Sequence, residues 1–328
     1  MFSKKYSEVI TIENILQVWE RFLRGKRYKK DVIAFHAELG KNIASLYLDL
    51  ANKTYKHGPY FAFNISDPKP RNIHKATVRD RIVHHIIYKE LYPYFESRFI
   101  YDSYSCRIDK GTHRALDRFR DFAGKVSHNH TRTCFVLKCD IRKFFATIDQ
   151  NILMEILRQH IEDNEIISLI KEVVSSFFTT PPRVGLPLGN LTSQLLVNIY
   201  MHEFDMFVKQ ELRVKYYIRY ADDFVILSDN EVYLQKVLLR IGSFLGEKLH
   251  LRLHPDKVYI KTYASGVDFL GWVHFPHHRQ IRTSTKRKIF KNTKHFLRPQ
   301  TVNSYRGLLS HGNTRNVQKA AGITIDVG

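Results

Sequence analysis

Cysteine is scarce in this chain of 328 residues, and the few cysteines present are isolated. They are Cys106, Cys134 and Cys139, an odd number with no Cys-x-x-Cys pair. This usage excludes a disulfide framework and a cysteine-based zinc module, and it fits a reducing compartment. No apolar run is long enough to span a bilayer, and the charged N-terminus is not followed by the apolar core of a signal peptide. We therefore expect a soluble cytosolic protein with no membrane partner.

Acidic residues are few relative to basic ones, with 32 Asp and Glu against 52 Lys and Arg and a formal net charge of +20. Such an excess favours a polyanionic partner, and contacts from Lys and Arg to a phosphate backbone would hold a duplex without reading its sequence. Basic clusters at 24–30 and 279–294 could equally be solvated faces. The aromatic residues among and beside them, Tyr28, Phe290 and Phe296, favour nucleic-acid contact.

Two adjacent carboxylates, Asp222 and Asp223, stand between apolar runs at 216–218 and 224–227. Both runs are rich in β-branched and aromatic residues, so they read as strands, and the short break between them predicts a hairpin turn. An isolated Asp-Asp pair would most simply be a polar turn. Crowded carboxylates repel each other unless they are protonated or bridged by cations, and oxygen ligands suit Mg²⁺ or Mn²⁺.

A third carboxylate, Asp140, ends another apolar run, and Phe144 and Phe145 follow it. Placed beside the hairpin, Asp140 would complete a three-carboxylate site able to hold two metal ions. Asp149 is the competing candidate, but the helical stretch that follows it identifies it better as a helix N-cap. The sequence therefore predicts that Asp140 and the Asp-Asp pair bind two Mg²⁺ ions, with Mn²⁺ as the alternative metal.

These segments and several others resemble the sequence blocks of reverse transcriptases. Any one block would be weak evidence, but all seven occur in the family's order. They lie at residues 68–83, 103–115, 135–145, 185–194, 220–223, 251–257 and 269–272. The resemblance implies an RNA-directed DNA polymerase that copies a template RNA into cDNA. In such enzymes one metal ion activates the primer 3′-hydroxyl, and the other steadies the leaving pyrophosphate.

The resemblance also implies a fold, a domain order and partners. The fold would be an α+β right-hand polymerase fold with fingers, a palm made of an antiparallel sheet backed by helices, and a short helical thumb. We expect an N-terminal helical extension at 1–54, fingers and palm at 55–275, and the thumb at 276–328. The implied partners are the template RNA, the RNA/cDNA duplex and dNTPs, in the cytoplasm of a bacterial host cell.

Individual roles follow from the same resemblance. Ile141 would add its backbone carbonyl to the metal ligands. Phe145 would lie under the incoming sugar and exclude a 2′-hydroxyl, and Arg71 would clamp the triphosphate, a task that suits a guanidinium. Lys257 would protonate the pyrophosphate, or would be a plain surface lysine. The implied nucleotide-binding residues are Lys69, Arg71, Phe145, Leu188, Gly189, Gln194 and Lys257.

The segment at 269–272 would form the primer grip. Its four residues are Phe269, Leu270, Gly271 and Trp272. Phe269 and Trp272 would serve equally well as core aromatics.

The fourth block departs from the commonest pattern of the family. Most reverse transcriptases have Gln before its glycine and Ser-Pro at its end, whereas this chain has Leu188 and Ser193-Gln194. That departure resembles the enzymes of diversity-generating retroelements, which copy a template RNA with errors at adenines and work with a small basic accessory protein. Leu188 offers no hydrogen bond to the incoming nucleotide, so discrimination would weaken. The neutral alternative is that Leu188 only packs differently.

Two alternatives stay open. One is a retron or phage-defence reverse transcriptase, which the Ser193-Gln194 ending and the lack of a retron-type Val-Thr-Gly disfavour. Group II intron enzymes are disfavoured because they normally continue into maturase segments after the thumb. The other is a non-catalytic nucleic-acid-binding protein on the same fold, and a binding role alone gives no reason for three clustered carboxylates in a basic protein.

Apolar spacing also predicts several helices. A continuous helix is expected over 31–51, and another near 78–92 that Pro93 would end. Further helices are expected at 164–178, 192–209 and 231–249.

Overall fold

The computed structural model describes residues 1–66, 70–179, 181–293 and 299–323. The α-helices are α1 (Tyr6–Val9), α2 (Ile12–Leu23), α3 (Lys30–Ala37), α4 (Leu39–Ala51), α5 (Val78–Glu96), α6 (Thr112–Val126), α7 (Phe144–Thr147), α8 (Gln150–His160), α9 (Asn164–Ser175), α10 (Leu191–Met206), α11 (Glu231–Leu249), α12 (Thr283–Thr293), α13 (Pro299–Leu309) and α14 (Arg315–Ala321). None of the helices in these ranges is long and apolar enough to cross a membrane.

The strands in the described ranges form antiparallel sheets. They are β1 (Phe61–Ile65), β2 (Arg71–Lys75), β3 (Phe135–Asp140), β4 (Tyr217–Tyr220), β5 (Asp223–Ser228), β6 (Tyr259–Thr262), β7 (Val267–Phe269), β8 (Trp272–His274) and β9 (Arg279–Ile281). β1 pairs with β2, a second sheet has the order β4-β5-β3-β6, and a third has the order β7-β8-β9. Lys69 and Phe296, for which roles are predicted above, lie outside the described ranges.

The chain divides into two compact units, each assembled from three segments. The first comprises Met1–Arg107, Ile141–Arg213 and Ile241–Leu253. The second comprises Ile108–Asp140, Val214–Arg240 and His254–Gly328. These interleaved segments differ from the three contiguous domains expected from the sequence, so the boundaries at residues 54 and 275 stay a prediction.

The first unit is built around α5 and α10. α5 packs against both α10 and α2, and α8 packs against α10 and α9. α10 is buried along almost its whole length, and its buried residues include polar ones such as Asn198, His202 and Asp205. Side-chain caps define several helix starts, because an unpaired N–H group at a helix N-terminus needs an acceptor. Asp149, for example, accepts hydrogen bonds from the backbone N–H groups of Asn151 and Ile152, which confirms its prediction as an N-cap.

Two helix predictions in the first unit were wrong in detail. The stretch predicted as one helix is divided between α3 and α4 at Glu38, whose φ of −118° and ψ of 38° are not helical. α5 does not stop at Pro93 but continues to Glu96. Proline forfeits one backbone hydrogen bond there, while the neighbouring Leu91, Tyr92 and Phe95 are buried, so tertiary packing outweighs the loss.

A chain of hydrogen-bonded histidines connects the start of α10 to α5. His57 Nδ1 lies 2.6 Å from the carbonyl oxygen of Gly58 and donates to it. His57 Nε2 lies 3.0 Å from His84 Nε2, and His84 Nδ1 lies 3.0 Å from the Thr192 hydroxyl. Burial lowers the pKa of His84, so its imidazole is uncharged at neutral pH.

The second unit centres on the four-stranded sheet. The two inner strands, β5 and β3, are buried over their middle residues, and α6 packs on β4 and β5. The three-stranded sheet β7-β8-β9 follows, and α12 packs against α14. In the described residues after β9 the elements are helices, α12 to α14, as expected of the helical thumb.

We expect the protein to lose stability as the pH falls from 7 to 5. Burial lowers the pKa of His84 to about 3, and it does the same to His274. Histidine in an unfolded chain has a pKa of about 6.5, so below that pH the unfolded chain takes up protons that the folded protein does not. Each buried histidine should remove about 2 kcal/mol from the free energy of unfolding over this interval, as measured by urea unfolding at both pH values.

Substitution of His84 isolates its contribution to the loss in the free energy of unfolding. His84→Gln should show a loss between pH 7 and 5 that is smaller by about 2 kcal/mol than that of the parent protein. His277→Gln, at an exposed histidine, should leave the loss unchanged. Equal losses in all three proteins would contradict a neutral, buried His84.

Candidate active site

The Asp-Asp pair lies at the hairpin between β4 and β5, as predicted. Tyr220 pairs with Asp223, so Ala221 and Asp222 form a two-residue turn. Ala221 adopts a φ of 55°, a left-handed conformation that is costly for a residue with a Cβ. Its carbonyl oxygen accepts a hydrogen bond from the fully buried Arg219 at 3.2 Å, which holds the turn from beneath. The turn therefore stores backbone strain next to two carboxylates, an arrangement typical of functional sites.

Asp140 lies at the end of β3, which pairs with strand β5 of this hairpin. β3 pairs with β5 so that Asp140 lies directly opposite Asp223. Side chains at opposed positions of neighbouring strands are on the same face with Cβ atoms about 4.5–5.5 Å apart. Alternation along a strand places Lys138, two residues before Asp140, on that face as well. The backbone carbonyl of Asp140 accepts from the N–H of His254 at 2.7 Å, which fixes the end of the strand.

Two lysines neutralise the two opposed aspartates. Lys257 Nζ donates to Asp140 Oδ1 at 3.0 Å. Lys138 Nζ lies 2.9 Å from Asp223 Oδ1, an ion-pair distance, but outside hydrogen-bonding geometry. Asp223 Oδ1 is therefore a buried oxygen that has a positive charge nearby and accepts no hydrogen bond. Buried polar atoms of this kind are rare in folded proteins and are commonly satisfied by an ion or water.

Asp223 is the strongly perturbed acid of the group. Burial raises the pKa of Asp223 to about 6, the charges of Asp222 and Asp140 act in the same direction, and Lys138 opposes them. About one fifth of the side chain remains in contact with solvent, so protons and ions can still reach it. A carboxylate with a raised pKa in a cluster of like charges is a recurrent mark of a functional site.

The predicted metal ligands were tested against this geometry. In the described ranges, no group of three or more His, Cys, Asp or Glu side chains has the arrangement of a metal site. The donor set nevertheless fits a hard divalent cation, because it offers carboxylate oxygens, and Asp223 Oδ1 lacks a hydrogen-bond donor. In this structure lysine ammonium groups supply the positive charge that a metal ion would bring. The two-metal site stays a prediction.

The fourth block lies in the first unit, joined to the hairpin of β1 and β2. The carbonyl oxygen of Leu188 accepts from the N–H of His74 at 3.0 Å, and Asn190 Nδ2 donates to the His74 carbonyl at 2.8 Å. Gly189 between them has a φ of 103°, and a Cβ there would lie 2.7 Å from Ile73 Cγ2. Two features therefore require glycine at position 189: the positive φ and the close approach of the Ile73 side chain.

The other predicted nucleotide-binding residues of the first unit occupy varied environments. Arg71 begins β2 and is exposed, while Gln194, on α10, and Leu188 are half-buried. Phe145 is half-buried on α7, and Phe144 is buried. Ile141, the predicted backbone ligand, is buried and forms an isolated β-bridge with Leu253.

The predicted primer grip forms the hairpin between β7 and β8 in the second unit. Leu270 and Gly271 have φ values of 49° and 87°, and they make a two-residue turn between the paired Phe269 and Trp272. Both aromatic residues are buried, so they belong to the core, and the turn is the accessible part of the segment. The grip itself stays a prediction.

Sequence reasoning missed Lys138 and Arg219. Both lie inside strands whose neighbours are apolar, and both are buried. A basic residue inside an apolar strand run is the available signal, since lysine and arginine are almost never buried without a partner. For Lys138, the spacing of two residues from Asp140 also indicates a shared face.

Comparisons with known proteins identify the family of the chain. The profile of the family described as "Reverse transcriptase (RNA-dependent DNA polymerase)" matches residues 62–274, more than half of the chain. Protein YkfC of Escherichia coli (strain K12) is 26% identical over 259 residues, which cover 67% of this chain and 66% of YkfC. The group II intron-encoded protein LtrA of Lactococcus lactis subsp. cremoris is 26% identical over 304 residues, covering 71% of this chain and 49% of LtrA.

A solved structure resembles the fold. Telomerase from Candida albicans, in complex with a TWJ fragment of telomeric RNA, superimposes with a TM-score of 0.52 at 12% identity, covering 83% of this chain and 55% of that chain. At this identity the likeness concerns the fold alone, and it confirms the predicted α+β right-hand polymerase fold. The chain spans between about half and two thirds of the length of these three relatives.

Gly189→Ala should destabilise the protein, because alanine would have to adopt a φ near 103° and its Cβ would overlap Ile73. Strain of this kind costs about 1–3 kcal/mol, measured as the change in the free energy of unfolding. Gly246→Ala is the matched control, since Gly246 lies in α11 with open space around it, and it should stabilise by about 0.5–1 kcal/mol. Equal shifts in the two variants would contradict the docking of Gly189 on Ile73.

Proposed function

Because the chain belongs to the reverse transcriptase family, we propose that it is an RNA-directed DNA polymerase whose reaction centre is the Asp140, Asp222 and Asp223 cluster. The observation that carries the proposal is the register of β3 and β5, which sets Asp140 opposite Asp223 beside the strained Asp222 turn. Nucleotidyl transfer concentrates negative charge, so it needs carboxylates that gather cations and basic groups that hold phosphates.

The carboxylates would hold Mg²⁺ or Mn²⁺. When bound, such ions activate the primer 3′-hydroxyl and offset the charge of the triphosphate. The chain's own residues supply the rest. Lys257, 45% exposed, is positioned beside Asp140 to turn towards a departing pyrophosphate and give it a proton. Arg71 is exposed at the start of β2 and would bind the triphosphate through its guanidinium. Phe145 would exclude the 2′-hydroxyl of a ribonucleotide.

The nucleic-acid partner would be a template RNA and the RNA/cDNA duplex made from it. The support is the family and the net charge of +20, which favours contact with phosphates. The related telomerase structure contains RNA, and that observation concerns telomerase. A small basic accessory protein belongs to the same proposal.

We further propose that the enzyme is of the diversity-generating type and copies template adenines with errors. The support is Leu188 and the Ser193-Gln194 ending of the fourth block. Leu188 is half-buried, its carbonyl accepts from the N–H of His74, and its aliphatic side chain offers an incoming nucleotide no hydrogen bond. The similarity to LtrA supports an intron-type enzyme as the second candidate. A variable repeat beside a template repeat in neighbouring genes would separate the two.

Asp222→Asn should abolish DNA synthesis and leave RNA binding nearly unchanged, because it removes a metal ligand and no basic residue. Primer extension on an RNA template with Mg²⁺ measures synthesis, and a filter assay measures binding. Asp229→Asn, an exposed aspartate just after β5, is the control and should extend normally. Near-parental extension by the Asp222 variant would refute the assigned reaction centre.

Leu188→Gln should lower misincorporation opposite template adenine more than opposite the other bases. A new hydrogen bond to the incoming nucleotide is worth about 0.5–1.5 kcal/mol, which corresponds to roughly two- to twelve-fold in selectivity. Sequencing of cDNA made from one RNA template measures the effect. Leu188→Met keeps an aliphatic side chain and should retain the parental error pattern. Adenine errors that are the same in all three proteins would exclude a role for Leu188 in fidelity.

A further inference from the structure

Lys138 is a buried lysine on the face of the sheet that carries the carboxylates. Only 8% of its side chain is exposed, and its Nζ lies 2.9 Å from Asp223 Oδ1. Its strand neighbours are Val225 on β5 and Tyr259 on β6, so it is enclosed on both sides. The mechanism described above makes no use of it.

The burial of the Lys138 ammonium group requires an energetic explanation. Transfer of an ammonium group out of water is costly, and only a close opposite charge compensates for it. The close opposite charge here is Asp223, whose Oδ1 lies 2.9 Å from the Lys138 ammonium group. The ammonium group of Lys138 supplies one positive charge next to Asp223 Oδ1.

We infer that Lys138 is a resident cation of the reaction centre, that is, a positioning residue whose charge holds Asp223 in place without metal and limits the affinity of the carboxylates for divalent cations. The inference rests on the proposed function, because it assumes that these carboxylates bind metal ions. It concerns the role of Lys138 beside them, which the proposed reaction does not require.

The contrast with Lys257 supports this assignment. Lys257 is 45% exposed, so it can leave Asp140 for solvent when another cation arrives. Lys138 is enclosed between β5 and β6, and Tyr259, its neighbour on β6, is itself held by a hydrogen bond of 3.3 Å from its hydroxyl to the carbonyl of Asp268. Lys138 therefore cannot swing away from Asp223 into solvent as Lys257 can from Asp140.

Formal charges show the consequence. With all three aspartates ionised, the two lysines leave a net charge of −1 at the centre, and without Lys138 that net charge becomes −2. A more negative centre attracts a divalent cation more strongly. The same change leaves Asp223 as a partly buried carboxylate with no counter-ion in the protein without metal, which is destabilising.

The experiment measures Mn²⁺ binding, from the electron paramagnetic resonance signal of free Mn²⁺, and the thermal unfolding midpoint in EDTA and in MnCl₂. Lys138→Met should bind Mn²⁺ about ten-fold more tightly than the parent protein. Its unfolding midpoint should be lower in EDTA and should rise more on addition of Mn²⁺. Lys138→Arg keeps the charge and should resemble the parent in both measurements.

Two further variants keep the inference falsifiable. Lys257→Met should change the EDTA midpoint less than Lys138→Met, since Lys257 is more exposed. The double variant Lys138→Met with Asp223→Asn removes both charges, so its EDTA midpoint should recover and its extra response to Mn²⁺ should vanish. This prediction can be checked even if Lys138→Met alone does not fold.

Mn²⁺ affinity in Lys138→Met that equals or falls below that of the parent would overturn the inference, and so would a double variant that is no more stable than Lys138→Met. The failure of the proposed function has a different signature. A parent protein that binds Mn²⁺ at these carboxylates but makes no cDNA on an RNA template would leave the role of Lys138 intact and refute the polymerase assignment.

Discussion

The repulsion between carboxylates on neighbouring strands is the constraint on which this molecule depends. The pairing of β3 with β5 sets Asp140 opposite Asp223, and like charges so placed destabilise a sheet unless cations offset them. Burial of the apolar residues in the middle of both strands offsets this cost. Lys138 and Lys257 then balance the charge. The centre is thus preorganised for positive charge, whether that charge comes from lysine or from a metal ion.

Specific contacts also fix the backbone conformation of the segments that carry the predicted site residues. Ala221 tolerates a left-handed conformation because the buried Arg219 binds its carbonyl oxygen. In the first unit, Gly189 allows the fourth block to lie against β2, where backbone hydrogen bonds with His74 fix it. Each site segment is therefore held by contacts that do not involve substrate. Such preorganisation is what a polymerase needs, since catalysis by positioning and electrostatics depends on groups that do not have to move.

Sequence reasoning located the Asp222 hairpin, the strand that ends at Asp140 and the helix cap at Asp149, because each rests on local patterning. It could not foresee that α5 continues through Pro93, since burial of the surrounding side chains decides that outcome. It also missed Lys138. A lysine inside a strand resembles a solvent-facing residue until the strand order shows that both neighbours cover it. The predicted three-domain division followed chain order, whereas the compact units interleave distant segments.

The central claim is that Asp140, Asp222 and Asp223 together bind the divalent cations of a polymerase. The most direct measurement is anomalous X-ray scattering from crystals of the protein soaked in MnCl₂ with a template–primer duplex and an incoming dNTP. The account predicts Mn²⁺ peaks in contact with the carboxylates of Asp140 and the Asp222 hairpin, with Lys138 still beside Asp223. Well-ordered crystals that show the bound duplex and nucleotide but no Mn²⁺ at these three residues would contradict it.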